Sequence, residues 1–183
     1  MRQEHTNCVT EANPQLEPVA DGLTTQRPYL GLLVLHADCQ AAIFYDPIHH
    51  ALANVHCGWR GNVQNIYKET IAFMAASYGT KASDLLVGIS PSLGPEAAEF
   101  IHYRTEFPEC YWDFCINNHF NLWELSRYQL MAEGILPHHI EISGMCTYSH
   151  PEDCFSYRRA KKSGRHGTLA MLKNKACRPA REK

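Results

Sequence analysis

Three short apolar runs lie close together: Leu32–Leu35, Ala41–Tyr45 and Ala51–Val55, with an Asp46-Pro47 turn between the second and third. Runs of this length, rich in β-branched and aromatic residues, predict strands. The chain upstream, residues 1–22, is polar and irregular, with Pro14 and Pro18, and Asp21-Gly22 marks a turn. After Gly58-Trp59-Arg60-Gly61 the period changes. Val63, Ile66, Tyr67, Thr70, Ile71 and Met74 fall at helical spacing, and Gly79 is placed to end that helix. Leu85–Ile89 predicts a short buried strand, and Ser90 to Pro95 a shaped loop, because its prolines and glycine fit no regular element. A second helix is predicted over Asn121 to Glu133. Asn121 can cap it, Glu124 stands three residues on as in a capping box, and Gly134 can stop it. Ile140–Ser143, Phe155–Arg158 and Thr168–Leu172 complete the predicted strands. Strands and helices alternate, some strands joined by tight turns, so the pattern predicts an α/β chain: a mixed sheet with helices packed outside.

Length and charge refine this picture. A chain of 183 residues is one domain by the length prior, and long enough to bury a core. Its net charge of -2 gives no general attraction to nucleic acid, but ten of the 17 Lys and Arg lie from Arg158 onward, where Glu182 is the only acid. The end, 173–183, reads as a solvated basic tail. No apolar run approaches the ~18 residues of a membrane span, and the first residues have no apolar signal-peptide core. The eight cysteines form no C-x-x-C pair, so they are expected to be reduced thiols of a cytoplasmic protein.

Candidate chemistry gathers at the strand ends. Cys39 follows the first apolar run and His56 follows the third. Thiolate and imidazole are zinc donors, and a catalytic zinc takes three protein ligands and one open position. On residues alone the third ligand stays open among His5, His36, His49, His50 and Cys57, with His49 and His50 poorly placed at the far end of the hairpin. A metal-free alternative makes Cys39 a nucleophile, His56 its base and Asp38 the group orienting the imidazole. The bland alternative is a buried thiol beside a hydrogen-bonded histidine. Arg60, just before a helix start near Asn62, is a candidate phosphate ligand. Arg165, in the loop Ser163-Gly164-Arg165-His166-Gly167, is another.

These stretches resemble one family. LHADCQAAIFYDP followed by VHCGWRG is similar to the T-A-D-C, D-P and H-A-G-W-R-G signature of the laccase-domain family, also known as multicopper polyphenol oxidase, peptidoglycan editing factor and purine nucleoside phosphorylase. ISPSLGPEAAEF, NLWELSRYQLMAEGI and CTYSHPEDCFSYRRAKKSGRHG extend the resemblance in order over nearly the whole chain. Gln3-Glu4-His5 is similar to the family's upstream Q-x-H, so the resemblance implies His5, Cys39 and His56 as the metal ligands. It also implies a four-layer α/β/β/α sandwich of face-to-face mixed sheets with outer helices, N-terminally shortened here, as a single domain over 1–172. His36, Cys57, Ser90 and Glu96-Ala97-Ala98 depart from the family's usual residues.

The activity implied is zinc-dependent phosphorolysis of purine nucleosides, methylthioadenosine included, together with adenosine deamination. The small-molecule partners would be nucleoside and phosphate. A zinc that lowers the pKa of its water suits deamination. Arg60 and Arg165 would serve phosphate, and Glu99 or Asp38 would carry a proton. Alternatives are a copper polyphenol oxidase, a cysteine-type hydrolase in peptidoglycan editing, and a zinc-stabilised protein without catalysis. The chain has His49-His50 and His138-His139 but no His-x-His, which disfavours the copper cluster of a laccase.

Overall fold

The computed structural model describes residues 1–174. Most of the expected basic tail, 175–183, lies outside the described residues. A six-stranded sheet forms the centre, in the order β1-β2-β5-β4-β6-β9. Its strands are β1 (Val9–Glu11), β2 (Gly22–Thr25), β4 (Gln40–Asp46), β5 (Ala51–Cys57), β6 (Leu86–Ile89) and β9 (Ile140–Ile142). Two pairings, β1 with β2 and β6 with β9, are parallel and the other three antiparallel, so the sheet is mixed as expected. β5 is buried along its whole length, which explains why Ala51 to Val55 is apolar on both faces except at Asn54.

One face of this sheet is covered by α2 (Ile66–Tyr78) and α4 (Leu122–Ala132), whose Tyr67, Met74 and Leu130 join Phe44, Val55 and Val87 in the main core. The other face carries an antiparallel ribbon of β3 (Gly31–His36) and β10 (His166–Met171). Leu32 and Ala170 of the ribbon pack with Leu23 and Leu52 of the sheet. The Asn54 amide stitches the layers by donating to the Leu32 and Thr168 carbonyls, both at 2.8 Å. Helices, mixed sheet and ribbon thus stack as three of the four expected layers; the second sheet is a two-stranded antiparallel ribbon, and among the described residues no helix covers its outer face. The ribbon's outer face, with Leu33, Leu35, Leu169 and Met171, is exposed. A small hairpin of β7 (Cys115–Ile116) and β8 (His119–Phe120) and the short α3 (Tyr103–Glu106) hold an aromatic cluster around Phe100, Phe107 and Phe120.

Three sequence expectations change. The helix predicted from Val63 is two helices: α1 (Trp59–Val63) ends, and Asn65 adopts a left-handed backbone (φ 51°) and caps α2 by accepting from the Lys68 N–H. Arg60 therefore lies inside a five-residue helix rather than ahead of a long one. Phe155–Arg158 is a turn and not a strand. Its backbone has no ladder partner; instead the Arg159 guanidinium donates to the Thr147, Tyr148 and Cys154 carbonyls and folds the segment on itself. Residues 1–22 are not wholly irregular, because β1 pairs in parallel with β2. The second predicted helix is found, capped by Asn121 through the Glu124 N–H as predicted.

Candidate metal centre and cavity

The β4–β5 pairing builds the centre. Its register sets Ala41 opposite His56, so Cys39, one residue before β4, lies beside the end of β5. The 37–39 turn that presents Cys39 is tight, with Asp38 left-handed at φ 82°. Asp38 stabilises it with both carboxylate oxygens, accepting from the Thr147 hydroxyl at 2.7 Å and the Arg158 N–H at 2.6 Å. His5 arrives from the N-terminal segment. Its ring meets His56 edge-on at 4.8 Å between centroids, and its Nε2 is 4.0 Å from the Cys39 Sγ. One ligand atom from each of His5, Cys39 and His56 lies within 4.8 Å of the others. Gly58 makes this approach possible, because a Cβ there would stand 2.9 Å from the Cys39 Sγ and 3.0 Å from the His5 ring.

Asp21 organises the three. The antiparallel register of β2 on β5 sets Gly22 opposite Val55, which brings Asp21 against His56. Its carboxylate accepts from the His56 Nδ1 at 2.8 Å, from the backbone N–H groups of Glu4, His5 and Thr6, and from the Thr6 hydroxyl. One buried carboxylate thus fixes the His56 ring and the segment that carries His5. A carboxylate only accepts, so Nδ1 carries the proton and Nε2 is left for Cys39 or a metal.

The charges are interlocked. Burial alone would raise the Asp21 carboxyl, but the bonds from His56, Thr6 and Glu4 hold it well below the usual carboxylate range. Burial alone would lower His56; Asp21 and Cys39 push it up to about 9. Burial alone would raise the Cys39 thiol; the hydrogen bonds and charge of His5 and His56 bring it down to about 7. A thiolate, an imidazole with its second nitrogen tied to a carboxylate, and a second imidazole form a donor set that fits zinc.

The other candidate ligands are occupied elsewhere. His36 is buried, and both ring nitrogens are bonded, to the Cys39 carbonyl and the Thr168 hydroxyl, each at 2.8 Å. Cys57 points into the core beside Gly61, and burial pushes its thiol up. His49 contacts Asp46, and His50 contacts Tyr45 and the Lys173 carbonyl, at the far end of the hairpin.

The trio opens into a cavity of about 770 Å³. Arg60 and Arg165 both line it, and so do Asp38, Arg158 and Lys161. Arg60 lies over the Trp59 ring at 4.1 Å, while Arg165 donates to its own loop's Ser163 and Gly164 carbonyls. Glu99 does not line the cavity; it is exposed, and its carbonyl accepts from Arg158. Sequence reasoning treated Asp21 as a turn residue and missed Arg158 and Lys161 as cavity residues.

With this geometry the class is settled. The family described as multi-copper polyphenol oxidoreductase laccase matches residues 1–173, and the chain belongs to it. Among its relatives, a purine nucleoside phosphorylase of Bacteroides thetaiotaomicron is 34% identical over 156 residues, 79% of this chain and 58% of the relative. Purine nucleoside phosphorylase PA4543 of Pseudomonas aeruginosa is 29% identical over 182 residues, 94% of this chain and 73% of the relative. The chain thus spans little more than half of the Bacteroides protein. The crystal structure of Bacillus licheniformis hypothetical protein YfiH superposes with a TM-score of 0.87 at 25% identity, over 93% of this chain and 72% of that one. Neisseria meningitidis protein NMB0706 gives 0.81 at 26% identity, over 94% and 73%.

Proposed function

We propose that the protein is a zinc-dependent purine nucleoside phosphorylase with methylthioadenosine among its substrates and adenosine deamination as a second activity. The observation that carries this reading is the His5, Cys39 and His56 trio lining a cavity that is also lined by arginines in no ion pair among the described residues. The names of the Bacteroides and Pseudomonas relatives support the substrate class. Zinc bound there would supply Lewis acidity and a water of lowered pKa. The chain's own residues do the rest. Asp21 holds His56 in one tautomer and one orientation. Arg60 and Arg165 offer cationic ends for phosphate. Phosphorolysis joins a phosphate oxygen to C1′ as the C1′–N9 bond breaks, and the base leaves with its electron pair and a proton. Among the described residues the trio is the one group of three close donors, whereas a laccase needs a separate three-copper cluster.

The seven cysteines among the described residues are free thiols, which suits a cytoplasmic enzyme. No helix among the described residues is long and apolar enough to cross a membrane.

A second reading has its own observation. Cys39 sits near 7 beside His56, the pairing that activates a thiol nucleophile, so a cysteine-type hydrolase stands as the alternative. The test of the main reading is incubation of the zinc-loaded protein with adenosine, with and without phosphate. Free adenine appearing only with phosphate is the expected result, and ammonia without phosphate reports the deamination. Silence in both would contradict the proposal.

A further inference from the structure

Four cations line the cavity, Arg60, Arg158, Lys161 and Arg165, against the single carboxylate of Asp38. That carboxylate has both oxygens engaged by Thr147 and the Arg158 N–H. Among the described residues none of the four cations forms an ion pair with a carboxylate. Arg158 is committed to structure, its guanidinium donating to the Ala97 and Glu99 carbonyls. The other three fall into two groups. Arg60 stands in α1, over the Trp59 ring. Lys161 and Arg165 stand on the loop after Tyr157 and lie against the same Tyr157 ring, at 4.7 and 5.9 Å from its centroid.

Two like charges held on one ring without a counter-ion repel each other, and a cleft lined by one sign concentrates the potential that attracts an anion. Inorganic phosphate brings about two negative charges and occupies one end. At about 770 Å³ the cavity stands in the upper part of the range of small-molecule sites, with room for more than one anionic group. Of the two arginines offered above for phosphate, Arg60, four residues after His56 in the chain, is assigned the phosphate that reacts, and Arg165 goes with Lys161 on the Tyr157 ring. The pair on the Tyr157 ring is then left without a ligand.

We propose that Lys161 and Arg165, on the Tyr157 platform, form a second anion subsite, so that the cavity prefers a purine nucleoside carrying its own phosphate, a nucleoside monophosphate, over the bare nucleoside. This rests on the nucleoside reading above. Arg165 holds its own loop through Nη1, so the substrate phosphate meets the rest of that guanidinium and the Lys161 ammonium at an exposed rim, and its contribution is electrostatic and weakens with salt.

The test is calorimetric titration of the zinc-loaded full chain, in phosphate-free buffer, with inosine and with inosine monophosphate, which have no 6-amino group to lose, zinc content being measured before and after. At low salt the monophosphate should bind about tenfold more tightly, and the ratio should fall as salt is raised. Lys161→Glu, at an exposed position, should bring the ratio to one or below while the melting temperature holds. Inosine binding with no gain from the phosphate would overturn the subsite and leave the nucleoside reading standing. Binding of neither compound would overturn both. A gain that survives Lys161→Glu would also overturn the subsite, because the phosphate would then be held elsewhere.

Discussion

Replacing Asp21 with asparagine tests how the centre is held together. The carboxylate accepts five hydrogen bonds, two on one oxygen from the His5 N–H and the His56 Nδ1, and three on the other from Glu4 and Thr6. An asparagine has one acceptor oxygen, and its NH₂ group must face donors on one side. If the oxygen serves His56 and His5, the Glu4 and Thr6 N–H groups lose their acceptor; if it serves those, the His56 Nδ1 and the His5 N–H do. Two bonds to a charged acceptor, at ~1.5–3 kcal/mol each, are lost either way. Glu4 and His5 are exposed and can turn to water, so the net cost should be about 3 kcal/mol. In a domain of this size that lowers the melting temperature of the metal-free protein by roughly 6–12 °C. His56 also loses the carboxylate that sets its tautomer, so zinc affinity should fall by about 10–100-fold. Competition with a chromophoric chelator measures the affinity, and thermal unfolding the stability. Zinc affinity within about twofold of the natural chain's would refute the idea that Asp21 orients the ligands.

Gly58→Ala should weaken zinc binding while leaving the fold intact, because the new Cβ would press on Cys39 Sγ and the His5 ring; unchanged metal content after dialysis would contradict this. Asp46 is buried and accepts from the Thr80 hydroxyl, the His49 ring and two backbone N–H groups, and these bonds outweigh burial and hold its carboxyl below the ordinary value. Its folded-state pKa is depressed, so its contribution is complete above the unfolded carboxylate value of about 3.9 and is lost as pH falls through the folded value. Urea unfolding should therefore show Asp46→Asn less stable than the natural chain near neutral pH, with the gap closing in acid; a gap that stays constant down to about pH 2 would contradict the assignment.

Local signals made the central elements legible. β4 and β5 follow from short apolar runs, and α4 from Asn121 and Glu124, because strand period and capping act within a few residues. β1 and β2 escaped because they are three and four residues long and exist through pairing, β1 on β2 and β2 on β5. Phe155–Arg158 misled because its residues are strand-like in composition while Arg159, a tertiary anchor, decides its backbone. The metal trio shows the same division. Cys39 and His56 stand at legible strand ends, but no spacing within the chain brings His5 to them; the family pattern did. Asp21 was hidden for the same reason, since a register between distant strands sets it against His56.

The central claim is that a metal held by His5, Cys39 and His56 drives the activity, and the thiol-nucleophile reading is its rival. Substituting Cys39 abolishes activity under either, so the deciding measurement is phosphate-dependent release of adenine from adenosine before chelation, after chelation and after return of zinc, with Cys39 alkylation followed by peptide mass in the same samples. The metal account predicts loss of activity with the chelator, recovery with zinc, and slow alkylation of Cys39 while zinc is present. Activity that survives the chelator, together with rapid labelling at Cys39 whether or not zinc is added, would contradict it.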